Sequence, residues 1–245
     1  MNQVTELLRA HRSIRRFTGD PVDDATVAEI VRCGQAAASS SNLQAVTVIR
    51  VKDPEKRARL AEVAGGQGHV AACGAFLVFC ADLHRAKLAC EMQDGSFVAG
   101  MTEHFILATV DVALSAQNCV VAAESLGLGA CYVGALRNDP EAVARLLGLP
   151  VAVYPVFGLC LGWPAETPQV KPRLPLEEVL KEDAYRDPDS LEGILAYDRT
   201  LREYYLARDG NPRDSCWSLE MKRLVGKESR PHMRAFLARR GFTLD

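Results

Sequence analysis

The sequence predicts an α+β fold, and three observations carry that prediction. Four short runs rich in β-branched or apolar residues alternate with segments of helical periodicity over the first two thirds of the chain. One apolar stretch, residues 101–126, is far too long for a strand. A proline-dotted segment after Trp163 then leads into a polar, arginine-rich tail.

The elements follow in order. Residues 4–11 read as a short helix ending in the cluster His11-Arg12-Ser13-Ile14-Arg15-Arg16-Phe17. Pro21 to Asp24 starts a second helix, with Val27, Ile30, Val31 and Gly34 at helical spacing and acids in the first turn. It gives out in Ala36 to Ser41, where small polar residues compete for backbone hydrogen bonds. Residues 46–51 (VTVIRV) are a strand, 54–64 a helix stopped by Gly65-Gly66, and 75–81 (AFLVFCA) a strand covered on both faces. The helix over 101–126 spans roughly 39 Å at about 1.5 Å per residue. It is apolar around most of its circumference, which predicts packing on several sides. Residues 131–136 are a short strand, 140–147 a helix stopped by Gly148, and 154–161 a buried strand. Pro164, Pro168, Pro172 and Pro175 mark an extended loop, and residues 189–245 are helical. The expected organisation is one domain: an α+β core over 1–163, with 164–245 as an extended loop and helical arm. The arm is too poor in apolar residues for a core of its own, which predicts that it wraps the main body or a second subunit.

Composition narrows the function. The chain has 245 residues, 48% hydrophobic and 24% charged, with 29 basic against 31 acidic side chains and a net charge of −2. That balance argues against a nucleic-acid binder and against a disordered chain. The N-terminus has no apolar h-region, so no signal peptide is expected, and Asp111, Gln117, Asn118 and Glu124 count against a membrane span in the long helix. The eight cysteines form no Cys-x-x-Cys pair and mostly sit among apolar neighbours. A reduced, cytoplasmic protein without structural metal is expected.

Signatures of dinucleotide-binding Gly-rich loops, phosphate loops, zinc hydrolases and serine hydrolases are missing from the sequence. What remains is anion-binding chemistry at separated points. His11 to Arg16 places cations and a hydroxyl beside a helix end, as a phosphate needs, although a solvated basic turn has the same composition. In Lys171-Pro172-Arg173 the proline fixes the backbone between two cations; an ordinary linker is the plain alternative. Ser39 to Gln44 offers hydroxyls and amides that suit either a cofactor edge or a capping turn. Gln67 follows a glycine pair at a helix start and suits the edge of a heterocycle, or the run is simply a turn. Gly134, in Tyr132-Val133-Gly134-Ala135, lets a backbone approach a flat ring or simply packs strand on helix. Residues 199–240 hold eleven Lys/Arg against five Asp/Glu. Arg208, Arg213 and Arg230 lie there in loops and suit a phosphorylated, exchangeable ligand or a solvated face.

Taken in order, HRSIRRF, SSSNLQ, GGQGHV, DVALSAQNCVVAAESLGLGACYVGALRND, FGLCLGWP, KPRLP and KESRP resemble the FMN-dependent nitroreductase superfamily. Within it, the likeness is to the oxygen-insensitive NADPH nitroreductases and NADPH–flavin oxidoreductases, and it runs from about residue 5 to residue 242. The resemblance implies a nitroreductase-like fold: a central mixed sheet flanked by helices, a long central helix and a wrapping C-terminal arm. It implies a homodimer with FMN at the interface, and NADPH as the reductant of a ping-pong, two-electron transfer to nitroaromatics, quinones or similar small acceptors. His11, Arg12, Ser13 and Arg15 would bind FMN, Arg15 towards the N1/O2 side of its ring. Ser39, Ser41 and Gln67 would contact the ribityl chain or ring edge, Tyr132, Val133 and Gly134 the region of N5, and Lys171 and Arg173 the phosphate. Arg208 and Arg213 would hold the 2′-phosphate of NADPH, and Arg230, Ser41 and Asn42 would face the acceptor. No obligatory catalytic acid or base is implied, since hydride passes directly to the flavin.

Two departures bear on the acceptor. Ala135 stands where relatives often carry a second glycine, and Asn42 makes the acceptor wall more polar than an aromatic residue would. A four-residue expansion falls around Glu91 to Gly100. The alternatives are an NADPH:FMN reductase that releases reduced flavin, and a flavin-binding module without turnover.

Overall fold

Polar side-chain caps set the starts of four of the helices. Asn2 caps a short α1 (Gln3–Arg9), and Asp23 accepts the Thr26 N–H at 2.8 Å to open α2 (Asp24–Gln35). Asp53 and Asp139 do the same for α3 (Pro54–Val63) and α7 (Pro140–Leu147), each with proline in the first turn, where its missing N–H costs nothing. Gly148, at φ +64°, ends α7 in the left-handed conformation. The computed structural model describes residues 2–185 and 190–242, so Asp189 and the last three residues of the expected tail lie outside it.

The sheet comprises β1 (Val46–Arg50), β2 (Ala75–Asp82), β3 (Gly129–Val133) and β4 (Val153–Gly162) in the order β1-β2-β4-β3. Every residue of β2 is buried, as its unbroken apolar run predicts. The sheet is antiparallel throughout these strands rather than mixed. The connections β1 to β2 and β3 to β4 each return the chain to the end of the sheet it left, whereas a parallel neighbour needs a crossover to the opposite end. The parallel pairing that does occur is an isolated bridge between Ser13 and Ala130. Between β2 and β4 the register slips where Phe79 faces Phe157 and Cys80 faces Pro155. Proline lacks the N–H a regular ladder requires there, so the strand bulges. Gly158 is required by close approach, because a β-carbon there would overlap the Phe76 ring.

Helix α6 (Thr102–Ser125) is long and apolar enough to cross a membrane by length and composition, despite the polar residues counted against it. Its inner face, including Ala108, Val112, Ala116, Cys119 and Val120, is buried in the main core. Its outer face leaves Ile106, Val110 and Leu114 between 43% and 48% exposed, so the packing expected all round is one-sided in the single chain.

Three details differ from the sequence expectations. The strand expected over 131–136 starts at Gly129 and stops at Val133, and Gly134 opens a 3-10 turn to Asn138. Helix α5 (His84–Glu91) was not expected, whereas α4 (His69–Ala72) follows the helix start expected at Gln67. The signal for α5 is Asp82, which accepts the His84 N–H at 2.9 Å. The tail also divides. One compact unit comprises the described residues up to Thr167 together with those from Arg230 on; the other runs from Pro168 to Ser229.

In the first unit, α11 (His232–Arg239) and the residues after it place Phe236, Leu237 and Phe242 in the main core. Arg240 anchors them by donating to the carbonyls of Leu149 (2.6 Å) and Val153 (3.0 Å). The second unit contains α8 (Leu176–Val179), α9 (Ser190–Ala207) and α10 (Trp217–Val225). Contrary to the expectation from its composition, it has a small core: Tyr197, Leu201 and Tyr205 on one face of α9, with Leu174 and Trp217 against them. Aromatic rings bury enough surface each for a few to suffice.

Candidate functional site

The cationic segment after α1 is pinned through its backbone. Ile14 donates its N–H to Ala130 at 2.9 Å, aligning Ser13 beside β3. Arg15 and Arg16 donate theirs to one oxygen of Glu166 at 2.8 and 3.0 Å. His11 Nδ1 lies 2.6 Å from Glu124 Oε1, near the end of α6. Arg12 lines a cavity of about 200 Å³ with Ile14, Glu124, Gly129 and Glu166. The two carboxylates in this basic region are engaged, Glu166 by backbone N–H groups and Glu124 by His11.

Helix α4 starts at His69, two residues from Gln67. Burial lowers the pKa of His69, and the Arg15 charge lowers it further; burial also raises the Cys131 thiol, which Arg15 partly offsets. His69 Nε2 is buried without a hydrogen-bond partner. Gln67 is half-buried, and its carbonyl accepts the Val70 N–H at 3.0 Å. The charge of Arg15 is thus felt at His69, two residues from Gln67.

Tyr132 packs edge-on against Phe157 at 5.0 Å, and burial pushes its phenol pKa up, with Cys119 and Glu124 adding to the shift. Val133 is buried. A β-carbon on Gly134 would lie 3.0 Å from Arg137 Nη2, so the absent side chain makes room for a guanidinium. Arg137 donates to the Val156 carbonyl at 2.6 Å, beside the bulge. Burial lowers the Arg137 pKa, as does Arg230 nearby. Arg230 itself, at φ +52°, donates to Asn138 Oδ1 at 3.0 and 3.1 Å.

Ser39, Ser41 and Asn42 occupy a different place. They line a cavity of about 960 Å³ with Gln44, Asp111 and Ser115. Ser41, Asn42 and Gln44 all have φ between +50° and +56°. Such conformations persist in non-glycine residues only where the surroundings enforce them, and they concentrate at functional sites. The enforcing group is Asp111, 3% exposed on α6. Its carboxylate accepts from Ser39 Oγ (2.7 Å) and the Ala45 N–H (3.0 Å), while Ser39 Oγ accepts the Gln44 N–H at 2.7 Å. Arg230, expected beside Ser41 and Asn42, is absent from this cavity's lining in the single chain.

In the second unit, Tyr197 Oη donates to the Pro172 carbonyl at 2.8 Å and so holds the Lys171-Pro172-Arg173 segment. Lys171 Nζ donates to Tyr205 Oη at 2.9 Å. Arg173 is exposed, and its charge partly offsets the burial that raises the Tyr197 phenol. The guanidinium carbons of Arg208 and Arg213 lie 4.8 and 4.5 Å from the Tyr205 ring centre. Arg208 donates to the Asn211 carbonyl at 2.9 Å, and Arg213 pairs with Glu220 at 3.0 Å.

Sequence reasoning missed Asp111, Glu124, Glu166, Arg137, Tyr197 and Tyr205 as site residues. Three left a signal: Asp111 is an acid inside an apolar helix, and Tyr197 and Tyr205 recur with Leu201 every four residues. Glu166 and Arg137 act on backbone atoms distant in sequence, which no local pattern reports.

The comparisons with known proteins agree with one another. A sequence model described as Nitroreductase family matches residues 8–163, and one described as Nitroreductase family, C-terminal domain, matches 171–245. The chain is 46% identical to the oxygen-insensitive NADPH nitroreductase of Salmonella typhimurium, over 99% of each chain. Among solved structures, nitroreductase A from Vibrio parahaemolyticus superimposes with a TM-score of 0.93 at 42% identity, covering 100% of both chains. The NADPH:FMN oxidoreductase of Vibrio harveyi, solved with NAD⁺, gives 0.89 at 42% identity over 98% of each. With both halves matched and the fold shared over its full length, the chain belongs to the nitroreductase family.

Proposed function

We propose that this protein is an FMN-dependent NADPH oxidoreductase that reduces nitroaromatics, quinones or related small acceptors by ping-pong two-electron transfer. The observation that carries the reading is the pinned His11–Arg16 segment. Its backbone is satisfied by Ala130 and Glu166, and Arg12 faces a cavity. A segment held this way presents cations without having to be ordered by the ligand, which favours binding.

These residues fit FMN. The phosphate calls for charge-assisted donors, and His11, Arg12, Ser13, Lys171 and Arg173 supply them. His69 Nε2, orphaned and buried near Arg15, is consistent with a polar heterocycle nearby. Arg15 offers a cation to the N1/O2 edge, Ser39, Ser41 and Gln67 hydrogen-bond the ribityl chain and ring edge, and Tyr132, Val133 and Gly134 line the region of N5. When bound, FMN supplies the two-electron chemistry itself. Arg208 and Arg213 hold the 2′-phosphate of NADPH, while Arg230, Ser41 and Asn42 orient the acceptor.

The protein acts as a homodimer in the cytoplasm. Within one chain Arg12 lines one cavity and Ser39 and Ser41 another, and a second copy would complete each site. Ile106, Val110 and Leu114 form an exposed apolar stripe on α6 of the kind that marks an association surface. Leu114→Lys is expected to convert the dimer to monomer and release FMN, read by sedimentation velocity with detection at both protein and flavin wavelengths. An unchanged sedimentation coefficient would count against this interface. The cytoplasmic assignment is supported by the cysteines, all eight of which are free thiols.

The likeness to the NADPH:FMN oxidoreductase of Vibrio harveyi favours a second reading, in which free FMN is itself the acceptor. Sustained turnover of free FMN, in place of ping-pong kinetics with nitroaromatics, would select it. The test of the main proposal is a visible spectrum followed by anaerobic titration with NADPH and, separately, NADH. Flavin bands bleached rapidly by NADPH are expected. A colourless protein that FMN does not reconstitute would overturn the proposal.

A further inference from the structure

We infer that Asn42 donates a hydrogen bond to the oxygen of the electron acceptor, and that Gln44 is the positioning residue that orients the Asn42 amide for it. The inference rests on the acceptor reading above and deepens it. It names the donor atom, Nδ2, and the acceptor class, quinones and nitro compounds that carry an exposed oxygen.

The orientation of both amides follows from their partners. Gln44 Nε2 lies 3.4 Å from the Asn42 backbone carbonyl and 3.2 Å from Asn42 Oδ1. A backbone carbonyl only accepts, so the end of the Gln44 amide that faces it is the amino end. The same amino group meets the Asn42 side chain, which must therefore present its oxygen to Gln44. The other end of the Asn42 amide, Nδ2, has no hydrogen-bond partner among the described residues. Asn42 lines the cavity of about 960 Å³, so a ligand there meets a donor.

Gln44 is a firm support because its backbone is clamped from two sides. Its N–H donates to Ser39 Oγ at 2.7 Å, which Asp111 holds in turn. Its carbonyl accepts from Arg85 Nη2 at 3.0 Å. Arg85 is itself tied down in the first turn of α5, donating to Thr47 Oγ1 at 2.8 Å and pairing with the buried Asp82 at 3.2 Å. Asn42 and Gln44 both hold left-handed backbone, at φ +56° and +52°. Asparagine tolerates that conformation better than most side chains, so a donor can stand at a position the loop restricts.

The chemistry selects an oxygen acceptor. A quinone that takes a hydride equivalent, two electrons and one proton, from the reduced flavin becomes a hydroquinone monoanion, and a solvent proton completes the hydroquinone. A nitro group that takes the same pair with one further proton gives a nitroso group and water. In both, negative charge grows on oxygen as the electrons arrive. A fixed N–H stabilises that charge more than it stabilises the neutral acceptor, so it speeds the transfer as well as aiding binding.

The test uses the flavin-loaded protein, reduced anaerobically with one equivalent of NADPH and reoxidised in a stopped-flow instrument by either of two probes. One is duroquinone; the other is methylene blue, a two-electron dye without oxygen atoms. Asn42→Gly permits the left-handed backbone and removes the donor, and Gln44→Met keeps the side-chain length and removes the amide. Asn42→Gly is expected to slow reoxidation by duroquinone roughly tenfold, the size of one charge-assisted hydrogen bond, and reoxidation by methylene blue much less. Gln44→Met should cost a similar factor, and the double variant little more than either alone, because Gln44 acts through Asn42. A second readout needs no turnover: the Kd of duroquinone for the oxidised protein, followed by the flavin spectrum, should rise several-fold in both variants. Asn42→Gly without effect on duroquinone in either readout removes Asn42 from the acceptor site, and the acceptor reading fails with it. An equal loss for both probes, or a Kd unchanged in Asn42→Gly beside slower reoxidation, keeps Asn42 at the site and overturns the donor assignment. A silent Gln44→Met beside a weakened Asn42→Gly, or fully additive losses, overturns the positioning role.

Discussion

Arg208→Ala raises the KM for NADPH by roughly ten- to hundredfold, the range of one or two charge-assisted hydrogen bonds, and leaves the NADH rate little changed. The physical basis is a difference in ligand chemistry: NADH lacks the 2′-phosphate that a guanidinium can grip with two parallel N–H groups. In the structure the Arg208 fork is already oriented, one side on the Asn211 carbonyl and its plane near the Tyr205 ring. Arg208→Lys should fall between wild type and alanine, since it keeps the charge and loses the fork. Raising ionic strength should narrow the difference between the two nucleotides, as expected for a solvent-accessible charge contact. Steady-state kinetics with both nucleotides and one acceptor measure all of this. Equal damage to NADPH and NADH turnover would remove Arg208 from the 2′-phosphate.

Asp111→Ala lowers stability by about 2–4 kcal/mol, because it strips a buried N–H, that of Ala45, of its acceptor and releases Ser39. In a chain of this size that corresponds to a fall in melting temperature of roughly 5–10 °C. The effect should reach the chemistry too. Ser41, Asn42 and Gln44 hold left-handed backbone conformations that the Asp111 anchor enforces, and without it they relax towards ordinary φ values. The KM for the electron acceptor is therefore expected to rise more than the rate of flavin reduction by NADPH falls. Asp111→Asn keeps one acceptor oxygen and should lose less. Differential scanning calorimetry and stopped-flow reduction separate the two effects. A melting temperature unchanged by the alanine substitution would show that the loop is held by something else.

Much of this architecture is legible in local patterns. Asp23, Asp53 and Asp139 announce helix starts within a few residues of where they occur, and the continuous apolar run of β2 reports its own burial. The long helix α6 is evident from length and periodicity. The cationic segment His11 to Arg16 stands out because its residues are adjacent, so composition alone marks it. What local patterns do not report is pairing between distant segments. The antiparallel sheet depends on connections that double back, and the strand at Gly129 ends at Val133 because the chain turns there into a 3-10 helix over Arg137.

The candidate site divides in the same way. Arg208, Arg213, Lys171 and the Ser39–Gln44 run are recognisable by residue type and by resemblance to the family. Their supports are not, because each support acts across a long stretch of chain: Asp111 on Ser39, Glu166 on Arg15, Tyr197 on Pro172, Tyr205 on Lys171. By itself, then, the sequence determined the fold class, the order of most elements and the chemical character of the ligand, since these follow from periodicity and from which side chains carry charge. Tertiary structure alone decided which carboxylate neutralises which cation, which loop is held in a strained conformation and which ring lies beside Lys171, Arg208 and Arg213. Those outcomes depend on atoms brought within a few ångströms by folding, and side-chain hydrogen bonds and cation–ring contacts act only at that range.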